Sequence, residues 1–119
     1  MRENVVADKS FTFAVRIVKL YQYLCETKKE YVLSKQLLRS GTSIGANIAE
    51  ALQGQSKRDF LMKMNISLKE ASETQYWLRL LEATDYLTKT ENASILKDCT
   101  ELIKLLTAIV KNGRISMDN

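Results

Sequence analysis

No proline interrupts this chain of 119 residues, and only four glycines occur in it. Proline removes a helical N–H and clashes with the preceding turn, and tight turns lean on proline and glycine. A chain without them is confined to few turns and to long, unbroken helices. Its length fits one domain that can bury a core without disulfides or metals.

Caps and spacing divide it into four helices, at about residues 8–28, 31–53, 57–86 and 92–112. Asp8 or Ser10 is the candidate N-cap of the first, and Gly54 stands where the second should end. Ser56 and Asp59 resemble a capping box, with Asp in place of Glu, at the head of the third. The fourth is expected to end at Gly113, with Lys111 in its last turn suiting the helix dipole and residues 114–119 frayed. The connections are short, so consecutive helices should be antiparallel neighbours. The expected fold is all-α, an up-down-up-down four-helix bundle forming one domain over residues 1–119.

The apolar spacing asks for more than one core. In the first helix Phe11, Ala14, Val18, Tyr21 and Cys25 make one heptad seam. Phe13, Ile17, Leu20 and Leu24 make a second on an adjoining face. Together they cover roughly 220° of the helix wheel, where a bundle core needs a stripe only a little over roughly 100° wide. A second copy of the chain is the simplest cover for the surplus, and Phe13, Ile17, Leu20 and Leu24 are the candidate oligomer seam. The fourth helix is a milder case, with Leu96, Cys99, Ile103, Leu106 and Val110 widened by Ile95, Leu102, Leu105 and Ile109. The third helix places Ser67, Ala71 and Thr74 at the middle of its seam, so a neighbouring backbone can come close there. Gly41, Gly45 and Ala49 offer a similar surface on the second. A glycine inside a helix costs about 1 kcal/mol relative to alanine, which close packing offsets.

The stretch Arg39-Ser40-Gly41-Thr42-Ser43-Ile44-Gly45-Ala46-Asn47-Ile48-Ala49-Glu50 resembles a motif of the bacterial four-helix-bundle proteins encoded in intervening sequences of large-subunit ribosomal RNA genes, R-S-x-x-S-I-x-x-N-I-A-E. The block from Ser67 to Leu81 is similar to the same family's A-L-K-E-A-x-E-T-x-Y-W-L-x-L-L, and Phe13 to Ile17 also fits. Ala51 stands where glycine is usual and Ser67 where alanine is usual; both suit a helix. The resemblance covers nearly the whole chain. It implies a left-handed four-helix bundle assembling as a homopentamer, with no established activity. A related bundle, the accessory variability determinant protein of diversity-generating retroelements, is a basic pentamer that binds nucleic acid and a reverse transcriptase; this chain is less basic.

There is no histidine, which removes Ser-His-Asp and Cys-His nucleophile systems and the usual zinc ligand sets. Glu70 and Glu73 share a helical face, but bundle di-metal sites pair Glu with a His three residues on. Gly41 and Gly45 lie inside a helix, where a nucleotide-cradling loop has no place. Cys25 and Cys99 read as core thiols, with a redox bond as the alternative. No catalytic, cofactor or metal residue and no small-molecule substrate are expected.

Two surfaces remain. Arg39, Ser43, Asn47 and Glu50 fall within about 80° on the second helix. They suit a docking site, a hydrogen-bond network to a neighbouring helix or subunit, or a solvated face. Lys97, Lys104 and Lys111 recur every seven residues, and Lys9, Arg16 and Lys19 form a comparable stripe on the first helix. With a net charge of +4 and a pI near 9.1, these six are the candidate contacts to RNA or DNA phosphates. Plain solubility is the alternative, since Asp98 and Glu101 dilute the stripe. Tyr23, Tyr31, Tyr76 and Trp77 can stack on bases or serve as core and interface.

Met1 to Asn4 lead into no apolar segment, so no secretory signal is expected. The apolar run from Leu102 to Val110 falls short of the roughly 20 residues that span a bilayer, so the expected location is the cytoplasm, without membrane contact. The leading expectation is a non-enzymatic homo-oligomeric assembly or adaptor protein with RNA or DNA as a partner. The alternative is a protein-interaction or structural module without nucleic-acid contact.

Overall fold

A computed structural model of the chain describes residues 2–118, with side chains from Asn4 to Met117. It consists of α1 (Arg2–Glu26), α2 (Leu33–Leu52), α3 (Lys57–Ala83) and α4 (Lys89–Asp118), with no strand among the described residues. Each helix packs on its sequence neighbour, α1 also packs on α4, and neither diagonal pair comes close. The result is an up-down square of helices measuring 50 × 21 × 21 Å.

The helix ends differ from expectation for local reasons. α1 starts at Arg2 rather than Asp8, because Val6, fully buried, extends the apolar pattern toward the terminus. Ser10 is no cap; its hydroxyl donates to the Ala7 carbonyl (2.9 Å) within the helix. α2 is started by a residue that cap preferences pass over. Lys29 adopts φ 57°, which swings Glu30 under the helix end. The Glu30 carboxylate then accepts from the backbone N–H of Val32 (3.1 Å), Leu33 (3.0 Å) and Ser34 (2.6 Å). Burial pushes this carboxyl up, but the three N–H groups outweigh it and hold it below the usual carboxylate range.

Ser56 caps α3 as read, accepting from the Asp59 N–H at 3.1 Å. α3 ends at Ala83, short of Tyr86. Asp85 turns left-handed at φ 68°, and the N–H groups of Tyr86 and Leu87 reach back to the Leu81 carbonyl at 2.9 and 3.2 Å. α4 begins before Asn92, on a reciprocal capping box. The Glu91 N–H donates to the Thr88 hydroxyl (3.1 Å) and the Thr88 N–H to the Glu91 carboxylate (2.8 Å). Nor does α4 stop at Gly113: it runs on through residues 114–118, where fraying was expected, while Asn119 lies outside the described residues. Gly113 serves packing, because a Cβ there would collide with the Leu61 side chain.

The core joins Phe13, Ile17 and Leu24 of α1 to Leu37, Ile44 and Ile48 of α2, Met64, Leu78 and Leu81 of α3, and Leu102 and Leu106 of α4. Gly41 and Gly45 admit α1 to α2. A Cβ on Gly41 would sit 2.8 Å from Ile17, and one on Gly45 3.3 Å from the Ser10 carbonyl oxygen. α3 meets α2 through hydroxyls. Ser67 donates to the Ile44 carbonyl (2.8 Å), and Thr74 bonds the Ser40 hydroxyl (2.9 Å).

One expectation is corrected here. Phe13, Ile17 and Leu24 are buried within the chain itself, with Leu20 half-buried against them, so they are not an oligomer seam. It is the other seam of α1 that faces out, with Phe11 71% exposed and Val18 38%. Both seams are apolar at the same spacing. What chooses between them is the notch at Gly41, which accepts Ile17 and so turns that row inward.

Candidate interaction surfaces

Two of the four members of the polar stripe of α2, Arg39 and Glu50, are paired with α3. The Arg39 guanidinium donates to Glu70 (3.1 Å) and to Glu73, and Glu50 pairs with Lys63 at 3.0 Å. Glu73 also accepts the Trp77 indole N–H at 3.0 Å. That bond, together with Arg39, holds its carboxyl below the usual range against the pull of burial. The Trp77 ring stands edge-on to Tyr76, centroids 5.2 Å apart. The other two members stay within α2, the Asn47 amide donating to the Ser43 carbonyl at 2.8 Å. Half-exposed ion pairs of this kind contribute about 0–1 kcal/mol each.

The two basic stripes lie on neighbouring helices, but α4 neutralises two of the three cations of the first. Lys9 pairs with Glu101 at 2.6 Å and Arg16 with Asp98 at 2.5 Å. Glu101, bonded to Lys9, is held below the usual carboxylate range, and Lys9 is raised in turn. Lys19, Lys97, Lys104 and Lys111 are exposed and enter no ion pair among the described residues. Tyr23 is engaged, donating to Glu91 at 2.6 Å beneath the Lys28 ammonium.

The ion pairs among the described residues share a pattern that spacing alone does not disclose. They all lie on two opposite edges of the square, α1 with α4 and α2 with α3. The α1/α2 outer face is apolar instead. A groove of about 480 Å³ runs between these helices, lined by Phe11, Ala14, Thr42, Ala46, Ala49 and Leu52 among others. The signal for it was the Phe11 seam together with the small residues of α2, read separately rather than as two walls of one groove.

Neither cysteine is bonded to the other. Cys25 lies beside the Ser34 hydroxyl on α2 (3.7 Å) and Cys99 beside the Ala71 carbonyl on α3 (3.3 Å). Burial pushes the Cys99 thiol up to about 12, so it stays protonated and inert. Among the described residues no group of three or more His, Cys, Asp or Glu side chains gathers to hold a metal ion. No helix there is long and apolar enough to cross a membrane.

Architecture and surfaces together define an up-down four-helix bundle whose helices meet through glycine notches, hydroxyl bonds and edge ion pairs. The sequence matches the 23S rRNA-intervening sequence protein family over residues 2–108, and the chain belongs to that family. Its fold is also that of a crystal structure from Bacteroides thetaiotaomicron, described as a protein of unknown function from the S23 ribosomal protein family. The two are 60% identical, the match covers 93% of this chain and 99% of that one, and the TM-score is 0.91. No curated protein matches the chain.

Proposed function

We propose that this chain is a non-enzymatic bundle that assembles with copies of itself through the outer face of α1 and α2. The observation that carries the reading is Phe11, 71% exposed beside an apolar groove. Burying a phenylalanine is worth roughly 1.5–3 kcal/mol, and a contiguous apolar face on a soluble bundle marks an interaction site. A second copy suits it because knob and groove both belong to this chain. The ring Phe11 presents and the small floor of Ala46 and Ala49 are complementary in size. Five copies is the number the family resemblance implies.

A second reading, that the assembly holds nucleic acid, is supported by Lys19, Lys97, Lys104 and Lys111, which are exposed and enter no ion pair among the described residues. Light scattering behind size exclusion, with and without mixed short RNA and DNA at low and moderate salt, tests both. A mass of several chains that rises with nucleic acid, reversibly with salt, supports both readings. An oligomer indifferent to nucleic acid leaves a protein-interaction scaffold, and a single-chain mass removes the assembly reading.

A further inference from the structure

We infer that the outer face of α3 and α4, rather than the α1/α4 edge, is the nucleic-acid surface, and that it grips a single strand by its phosphates. The inference rests on the second reading above and names its site. It starts from where the carboxylates go. Glu91, Asp98 and Glu101 of α4 all turn toward α1, onto Tyr23, Arg16 and Lys9. Glu70 and Glu73 of α3 turn toward α2, onto Arg39, and Asp59 lines a groove with Ala49 and Glu50 of α2. Glu82, at the far end of α3, accepts from the buried Asn92 amide at 3.0 Å. Among the described residues the face between is left with cations, Lys69 and Arg79 on α3 and Lys97, Lys104 and Lys111 on α4, with Glu101 at its border on the α1 side. All five are exposed, and none enters an ion pair among the described residues.

Two contacts fix how these cations line up. The Cys99 thiol meets the Ala71 carbonyl, and the Gln75 amide donates to the Thr100 hydroxyl at 3.2 Å. At about 100° per residue, Lys97, Lys104 and Lys111 fall between Thr100, on the α3 side, and Glu101, on the α1 side. Arg79 and Lys69 likewise fall between Gln75 and the Glu73 that Arg39 holds. Because the helices are antiparallel, Arg79 lies level with Lys97 and Lys69 level with Lys104. Successive α4 lysines are about 10 Å apart, so their row spans about 21 Å. At the 3.4 Å per phosphate of a fully stacked strand, that is room for at most about six phosphates.

Tyr76 favours an unpaired strand. It is 58% exposed and sits on α3 between Lys69 and Arg79, its ring steadied edge-on by Trp77. A half-exposed ring amid cations can stack on a splayed base, which a duplex does not offer.

The test is fluorescence anisotropy on the full chain with a labelled oligouridylate and a duplex RNA of the same length. With five cations the dissociation constant for the single strand should rise about 100-fold between 50 and 200 mM salt. Lys69→Gln with Arg79→Gln should cut that dependence to about three-fifths on a logarithmic scale, with helix content unchanged by circular dichroism. Tyr76→Ala should weaken the single strand about tenfold and leave the duplex unchanged. If the α3 variants bind like wild type while Lys9→Gln with Lys19→Gln loses binding, the α1/α4 edge is the site. The inference then fails and the nucleic-acid reading survives. If no probe binds at 50 mM salt, both fail.

Discussion

The α1/α2 face and the α3/α4 face look out from opposite sides of one square of helices, and they differ in what was removed from them. On α1/α2 both signs of charge are missing from the row that runs from Phe11 through Ala14 to Val18 and from the Thr42, Ala46 and Ala49 wall facing it. On α3/α4, among the described residues, only the negative sign is missing. The ion-paired edges between them account for both. Lys9 and Arg16 are drawn onto Glu101 and Asp98, and Glu70 and Glu73 onto Arg39. A bundle with a small net charge can thus present one apolar face and one cationic face, because its compensating pairs are confined to the seams. The lesson is that net charge says little about any face until the pairs are located.

The sharpest way to break this comparison uses two phenylalanines two residues apart. Phe13→Ala, in the core, should lower unfolding free energy by about 3–5 kcal/mol, whereas Phe11→Ala should change the chain's own fold by no more than about 0.5 kcal/mol. Urea unfolding of both variants at low protein concentration checks this. Gly41→Ala comes next. Its methyl would meet Ile17 at 2.8 Å, so overpacking of about 1–3 kcal/mol outweighs the helix-propensity gain. A stabilised variant would show that α1 is not keyed into α2 there.

Smaller effects separate the helix starts beneath the two faces. Glu30 heads α2, which floors the apolar face, and Glu91 heads α4, which carries the cationic one. Both carboxyls are held below their usual range: Glu30 by backbone N–H groups that overcome its burial, and Glu91 by the Thr88 N–H and the Tyr23 hydroxyl. A group depressed in the folded state stabilises above its unfolded pKa, here about 4.3. That contribution is lost as pH falls through the folded value. Glu30→Gln should therefore cost about 1 kcal/mol at neutral pH and flatten the acid limb of a stability–pH curve. Glu91→Gln, at an exposed site, should do less. The smallest expected change is on the cationic face: Lys104→Gln should reduce the salt slope of oligonucleotide binding by about 0.7 without moving stability.

Much of the architecture was legible because it rests on local rules. The four helices, the Ser56 cap, the hydroxyl seam of α3 and the glycine seam of α2 all follow from spacing and residue type, and the structure uses each as read. Thr88 to Glu91 was also legible, as a plain capping box, but Asn92 drew the start of α4 away from it. Glu30 was not, since its capping depends on a left-handed Lys29 that no propensity foretells. The inward and outward seams of α1 could not be told apart from α1 alone, because the deciding contact, Ile17 at Gly41, lies on another helix. For the same reason the basic stripe was read whole, although two of its members are neutralised across the α1/α4 edge.

The central claim is that the α1/α2 face is covered by another copy, and light scattering of Phe11→Glu with Val18→Glu beside the wild type tests it most directly. The account predicts a wild-type mass of several chains and a variant mass of one, with the same helix content by circular dichroism. A wild type already at one chain, or a helical variant that keeps the wild-type mass, would contradict it.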